Sequence, residues 1–262
     1  ILLNKMDILK HLEKYGYAVQ ENVISSKDCT KMSQALDSLK LEKEKKGTLH
    51  STSSQIVITN VHLEKPEIFL NKISLPKVMN VISKVLKDEF ILSNFNASLP
   101  GKTGGSRTHI DSRVPIADFK STLQIVATLC IDDFTVKNGG TIVWPFTHTS
   151  GKDPKNVKKK TANNRIQVCA PKGSIIYVLG QTWHDVGSNL NNQKRWGIIA
   201  YYSRWWIKPT FDFTKCGKRI FNKLNKKQKK LMGFTSVPPK HNENRTKTIV
   251  PIETISKNYD DL

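Results

Sequence analysis

His109 and Asp111 stand two apart in THIDSR (108–113), just after the glycine-rich run PGKTGGSR. On an extended chain that spacing points both side chains to one side. A second histidine, His184, lies in GQTWHDVGSN directly after an apolar strand-like run, and Arg195 follows eleven residues later in NQKRWGIIAYY. Two imidazoles and one carboxylate are the facial ligand set of non-haem Fe(II) oxygenases. Three protein ligands on one face of an octahedron leave three positions free. A 2-oxo acid takes two of them through its carboxylate and keto oxygens, and O₂ takes the third. An arginine at the start of the next strand would sit beside His184 across a hairpin. There its planar fork suits the far carboxylate of 2-oxoglutarate. His-x-Asp alone is a weak signal in a chain with seven histidines. The second histidine and the arginine, each in order, give it weight.

Rigid ligands require rigid elements, and the sequence supplies them. From Phe90 onward, FILSNFNASL, TLQIVATLCI, GTIVWPF, RIQVCA, GSIIYVLG and RWGIIAYYSRWW are short runs rich in β-branched and aromatic residues. Gly, Pro, Asn and Asp separate them, as turns between strands do. The series predicts a mainly β fold with flanking helices, a sandwich or barrel of jelly-roll type. Upstream, Asp7 is placed to cap a helix carrying Ile8, Leu9 and Leu12 and ending near Gly16. YAVQ (17–20) reads as a short strand. A second helix from Ser26 carries Met32, Ala35, Leu36 and Leu39, and a third from Pro76 carries Val78, Val81, Ile82, Val85 and Leu86. LEKEKKGTLHSTSSQ (41–55) reads as a polar loop and GKDPKNVKKKTANNR (151–165) as a long basic one. The loops near 41–55, 100–107 and 146–165 are expected to set the substrate. The expected organisation is a single domain over 1–262: a helical part over about 6–88, the β core over about 89–210, and a basic helical extension over about 211–262. In that extension Ile220, Phe221, Leu224, Leu231 and Met232 form a docking face.

The 262 residues are 38% hydrophobic, enough for a globular chain with a sizeable core. No apolar run reaches 18 residues, so no membrane span is expected. The N-terminus shows no charged and then apolar leader pattern. The four cysteines are scattered without a CxxC, which argues against a zinc site or disulfide framework and for a cytoplasmic, reducing location. The formal charge of +20 invites a nucleic-acid reading. Yet lysine outnumbers arginine heavily, and base readout and phosphate forks favour arginine. Nucleic acid is therefore the second choice of partner, behind a small molecule. Arg113, two past Asp111, is a candidate contact for an anionic one.

Taken together, the four elements resemble the phytanoyl-CoA dioxygenase (PhyH) family of Fe(II)/2-oxoglutarate oxygenases. IDDFTVKNGGTIVWPFTHTSGK (131–152) is similar to that family's acidic turn, Asn-Gly and apolar strand ending in Pro-Gly-Ser-His. WHDVGSN (183–189) resembles its stretch around the distal histidine, and YGYAVQENVISSKDC (15–29) its N-terminal elements. The likeness spans most of residues 8–210 and implies a double-stranded β-helix, a cupin-like jelly roll. It implies Fe(II) on His109, Asp111 and His184, and 2-oxoglutarate on Arg195. Thr141 and Gln124 would assist the cosubstrate. The expected outcome is hydroxylation of a C–H bond, with O₂ consumed and succinate and CO₂ released. Asp111 matters here, because the halogenating relatives carry a small residue that frees a coordination site for halide. One departure stands out: the family's Pro-Gly-Ser-His is Pro145-Phe146-Thr147-His148. That leaves His148 a substrate-lining or structural residue. A catalytically silent jelly-roll binding module is the reading from another class, and an intact ligand set with Arg195 argues against it. His11, His50, His62 and His241 fit no pattern, and Trp183, Trp205 and Trp206 read as core or rim.

Overall fold

A computed structural model describes residues 7–87, 90–104, 107–157 and 164–236. Helix α1 (Ile8–Tyr15) starts where Asp7 accepts a hydrogen bond from the Leu9 N–H and stops at Gly16. Gly16 has φ +81°, and a Cβ there would collide with Thr182 Oγ1 and the His148 ring. Glycine is needed on both counts. Thr182 Oγ1 donates to the Gly16 carbonyl, so the end of α1 braces the segment leading to His184.

Strand β1 (Tyr17–Gln20) follows, then α2 (Ser26–Lys45), capped by the Ser25 hydroxyl. This helix runs 20 residues and takes in 41–45, which composition alone assigned to a loop. Leu41 is exposed there, and Lys40–Glu44 and Lys65–Glu42 ion pairs hold the polar turns in helix. The rest of that stretch folds back as a hairpin of β2 (His50–Ser51) and β3 (Gln55–Ile58). Two single-turn helices, α3 (Val61–Glu64) and α4 (Pro66–Phe69), lead to α5 (Pro76–Leu86), where Pro76 takes the first turn.

The β region then forms β4 (Phe90–Pro100), β5 (Gln124–Cys130), β6 (Ile142–Val143), β7 (Ile166–Gln167), β8 (Ile175–Leu179), β9 (His184–Asp185) and β10 (Gly197–Arg204). A seven-stranded antiparallel sheet has the order β1-β8-β5-β10-β4-β3-β2, and a small one the order β7-β6-β9. The two short helices α6 (Lys218–Phe221) and α7 (Lys226–Leu231) follow. They are shorter than the composition suggested, and 237–262 lie outside the described residues.

Alternation along the large sheet divides its faces. Ile125, Ala127, Leu129, Tyr177, Leu179, Ile198, Ala200 and Tyr202 pack against Leu12, Met32, Leu36, Leu39 and the buried face of α5. Ile220, Phe221, Leu224, Leu231 and Met232 join the same core. The alternate residues Val126, Thr128, Val178, Ile199 and Tyr201 face the other way and line a cavity whose opposite wall includes His184, Asp185 and Thr141. The result is a jelly roll with helices on the outer face of its large sheet and the cavity inside.

Candidate metal centre and cosubstrate pocket

His109 and His184 form an isolated antiparallel pair and exchange both backbone hydrogen bonds, each at 3.1 Å. Directly opposed residues in such a pair project to one side, and the two imidazole centroids are 4.3 Å apart. Asp111 reaches the same point by a different route from the one its spacing suggested. The extended segment ends after Ile110, and Asp111 sits in a turn whose Ser112 N–H is held by the Gly180 carbonyl at 2.9 Å. His109 Nε2 lies 3.5 Å from Asp111 Oδ1, and His184 Nε2 lies 3.1 Å from Asp111 Oδ2. One ligand atom from each of the three residues falls within 4.8 Å of the others.

The protons on the two rings are assigned by their neighbours. His109 Nδ1 is 2.9 Å from the Arg107 carbonyl, and His184 Nδ1 is 2.9 Å from the Thr182 carbonyl. A carbonyl accepts, so each Nδ1 carries hydrogen and each Nε2 faces Asp111, where it can give a lone pair once any proton it holds is displaced. Asp111 Oδ2 is buried and accepts no aligned hydrogen bond. Two imidazole Nε2 atoms facing a carboxylate whose side chain is only 8% exposed suit a cation at their centre; the His184 side chain is 12% exposed and that of His109 43%. The titration behaviour agrees. Burial alone would pull His109 down, but the carboxylate of Asp111 outweighs it and pushes the ring up to about 9. Burial opposes the ionised form of Asp111, and the neighbouring His184 and His109 outweigh that too, holding its carboxyl well below the usual range.

Arg195 lies two residues before β10 and is 3% exposed. Its Nη2 donates to the Gly139 carbonyl at 2.5 Å, and its guanidinium carbon sits 4.1 Å above the Phe134 ring. Its Nε has no partner, and no acidic group pairs with it among the described residues. Burial pulls it down to about 10. A buried cation without an acidic partner suits a carboxylate.

His109, His184, Arg195 and Thr141 line one cavity of about 1440 Å³. Gln124 shares a strand face with Val126 and Thr128 but lies outside that lining. Two expected substrate contacts, Arg113 and His148, lie outside that lining. Arg113 is exposed in the turn after Asp111, has φ +58° and lies outside the lining, because the chain leaves the extended form and the spacing rule lapses. It forms no ion pair with Asp118, whose carboxylate accepts from the Lys120 N–H and the Ser121 hydroxyl. His148 is fully buried, with Nε2 2.9 Å from the Glu13 carbonyl, and packs under α1. Phe146 occupies the glycine position of the family turn with φ +68° and rests on the Tyr15 ring at 5.2 Å.

Much of the remaining lining comes from the three loops expected to set the substrate, although its individual residues were not singled out. His50, Thr52, Ser54 and Gln55 come from the β2–β3 hairpin, Arg107 from the glycine-rich segment, and Pro154, Lys155, Val157 and Arg165 from the basic loop. Trp144 and Trp183 line the cavity as well. So does Tyr201, whose phenol is pushed well up by burial and by the charge of Asp111. The scarcity of arginine was the one signal that could have singled out Arg107 and Arg165.

The sequence model of the phytanoyl-CoA dioxygenase (PhyH) family matches residues 12–197. This chain belongs to that family. With the ligand set above, membership makes it a non-haem iron, 2-oxoglutarate-dependent oxygenase. Among its relatives, "Dioxygenase af480" of Aspergillus fumigatus is 23% identical over 248 residues, covering 90% of this chain and 79% of that protein. "Dioxygenase andF" of Emericella variicolor is 23% identical over 117 residues, covering 44% and 39%. Among solved structures, the epimerase SnoN in complex with Fe3+, alpha ketoglutarate and nogalamycin RO aligns with a TM-score of 0.61 at 14% identity, covering 78% of this chain and 85% of that one. The non-heme alpha ketoglutarate dependent carbocyclase SnoK aligns at 0.62 with the same identity and coverage. These likenesses bear out the jelly roll. No helix among the described residues is long and apolar enough to cross a membrane.

Proposed function

We propose that the protein hydroxylates a C–H bond of a small, anionic organic molecule, with one oxygen of O₂ entering the product and the other entering succinate as 2-oxoglutarate loses CO₂. The observation that carries this reading is the convergence, in one cavity, of two Nδ1-anchored imidazoles, a buried carboxylate and an unpaired buried guanidinium. Bound Fe(II), together with 2-oxoglutarate and O₂, would supply the oxidising power for the C–H bond. The chain's own part is placement. His109, Asp111 and His184 hold the metal, and the Arg107 and Thr182 carbonyls fix the two rings. Arg195 anchors the far carboxylate of the cosubstrate, with Thr141 beside it on the lining. Val126, Val178, Ile199 and the tryptophans supply apolar wall that excludes water from the reacting bond. The common core of the helices, sheet and C-terminal turns supports treating the chain as one catalytic domain. The four free thiols support a reducing location such as the cytosol.

Charge supports the anionic substrate. Of seven arginines in the chain, Arg107, Arg165 and Arg195 all line this cavity. The charges of Fe(II), Asp111, 2-oxoglutarate and Arg195 sum to zero. That leaves Arg107, Arg165 and Lys155 facing a single acidic lining residue, Asp185, and none of the three forms an ion pair among the described residues. Free guanidinium forks suit a phosphate or carboxylate on the substrate.

The test is succinate release from 2-oxoglutarate under O₂ and Fe(II), screened with matched anionic and neutral compounds. Stimulation is expected from anionic compounds, with Arg107→Gln and Arg165→Gln each raising KM about tenfold or more. Equal stimulation by neutral analogues, or unchanged KM in both variants, would contradict the substrate assignment. Salt-sensitive retention on nucleic acid with stimulation by it would transfer the reading to a macromolecular substrate.

A further inference from the structure

Asp185 follows His184 in β9, is 5% exposed and lines the cavity. A cavity rich in cations would be expected to draw its carboxylate into an ion pair. Instead both oxygens go to backbone amides: Oδ2 accepts from the Arg107 N–H at 2.8 Å and Oδ1 from the Val186 N–H at 2.8 Å. A carboxyl group can accept at both oxygens in this way, whereas an amide offers a single acceptor and would set its NH₂ against the second donor.

The residue it grips is the one that orients a metal ligand. Arg107 gives its N–H to Asp185 and its carbonyl to the Nδ1 of His109. The same two chain segments meet at two further points. The Ser188 hydroxyl donates to the Gly104 carbonyl at 3.0 Å, and His109 and His184 exchange their backbone hydrogen bonds. The segment bearing His109 is thus laid along the segment bearing His184. Asp185 is the one charged side chain among these links.

Resting on the metal reading above, we propose that Asp185 is a positioning residue: through the backbone of Arg107 it fixes the ring of His109 in its ligating orientation. Its carboxylate oxygens are taken up by backbone amides and it is not one of the three proposed metal ligands. Because the side chain of Arg107 lines the cavity, the same grip also holds that guanidinium at the substrate's place.

The test is Co(II) titration of the metal-stripped, full-length protein, read by the visible bands of the bound ion, with thermal unfolding of each metal-free variant alongside. Asp185→Ala is expected to weaken Co(II) about 10- to 100-fold while the metal-free protein still unfolds cooperatively. Arg107→Pro deletes the amide hydrogen but keeps the carbonyl and the Asp185 charge, and is expected to weaken Co(II) similarly. The double variant should bind no more weakly than the weaker single one. Arg107→Gln, which leaves the backbone untouched, should stay within about threefold of wild type in metal affinity. Should Asp185→Ala fail to fold, Asp185→Asn, with one acceptor retained, and Arg107→Pro decide the matter. Normal Co(II) affinity in Asp185→Ala or Asp185→Asn overturns the proposal. So does a weakened Asp185 variant beside an unaffected Arg107→Pro, since the effect would then be one of charge alone. Wild type that binds no Co(II) overturns the metal reading itself and this proposal with it.

Discussion

Replacing Arg195 with methionine should make the metal-free protein more stable and the cosubstrate complex far weaker. The opposite signs follow from the same geometry. The guanidinium is 3% exposed, has no acidic partner among the described residues and is pulled down from 12.5 to about 10 by burial. A base whose folded value lies below its unfolded one costs stability. That cost is fully present below the folded value, at about 3 kcal/mol for a shift of this size, and fades as pH rises above about 10. Methionine of similar reach removes the charge and forfeits the hydrogen bond to Gly139 and the stacking on Phe134, together about 1–2 kcal/mol. The net gain at neutral pH is about 1–2 kcal/mol, a rise in Tm of roughly 2–8 °C for a chain of this size. Binding of 2-oxoglutarate, by contrast, loses a buried charge pair, which costs about 2–5 kcal/mol or at least 30-fold in Kd. Differential scanning calorimetry of the metal-free protein and calorimetric titration of 2-oxoglutarate with Co(II) present read the two effects. A variant that is destabilised by more than about 2 kcal/mol yet binds 2-oxoglutarate normally would refute the reasoning.

Other expected outcomes are simpler. In the metal-free protein, His109 is raised from 6.5 to about 9 by Asp111. Its stabilising contribution is therefore full below about pH 6.5 and lost as pH climbs through 9, so Tm should fall over that window and His109→Asn should flatten the fall. Metal affinity should move the other way, rising with pH as the proton is displaced, which a Co(II) titration series would show. Gly16→Ala puts a methyl group into Thr182 and His148 at a positive φ and should cost about 2 kcal/mol or more by chemical denaturation. Phe146→Ala keeps the left-handed backbone but loses the Tyr15 contact, for a loss of about 1 kcal/mol. Phe146→Gly relieves the backbone and should recover most of it.

The sequence carried the β core well because the cavity face and the helix face of β5 and β8 differ residue by residue, and strands buried on both sides still announce themselves by β-branched runs. The candidate site was legible for a chemical reason: His109, Asp111, His184 and Arg195 are unusual types at fixed places between apolar strands. What failed was geometry that depends on where the chain stops being extended. Asp111 and Arg113 share a spacing rule on paper, yet the turn at 111 sends one to the His109–His184 pair and the other to solvent. The segment 41–55 was expected beside the substrate, but its β2–β3 hairpin was hidden because its residues are polar and its strands are short, so it looked like the loop it interrupts. Asp185 was passed over beside its more conspicuous neighbour, since nothing in local sequence reveals that its partner is a backbone amide 78 residues away.

The measurement that bears most directly on the whole account is an anaerobic titration of the purified protein with Fe(II) and 2-oxoglutarate, followed through the weak visible charge-transfer band of the chelate. A band is expected in wild type, with its loss in His109→Ala and its appearance in Arg195→Met only at much higher 2-oxoglutarate. A folded wild-type protein that shows no band and retains no iron would contradict the oxygenase reading at its root.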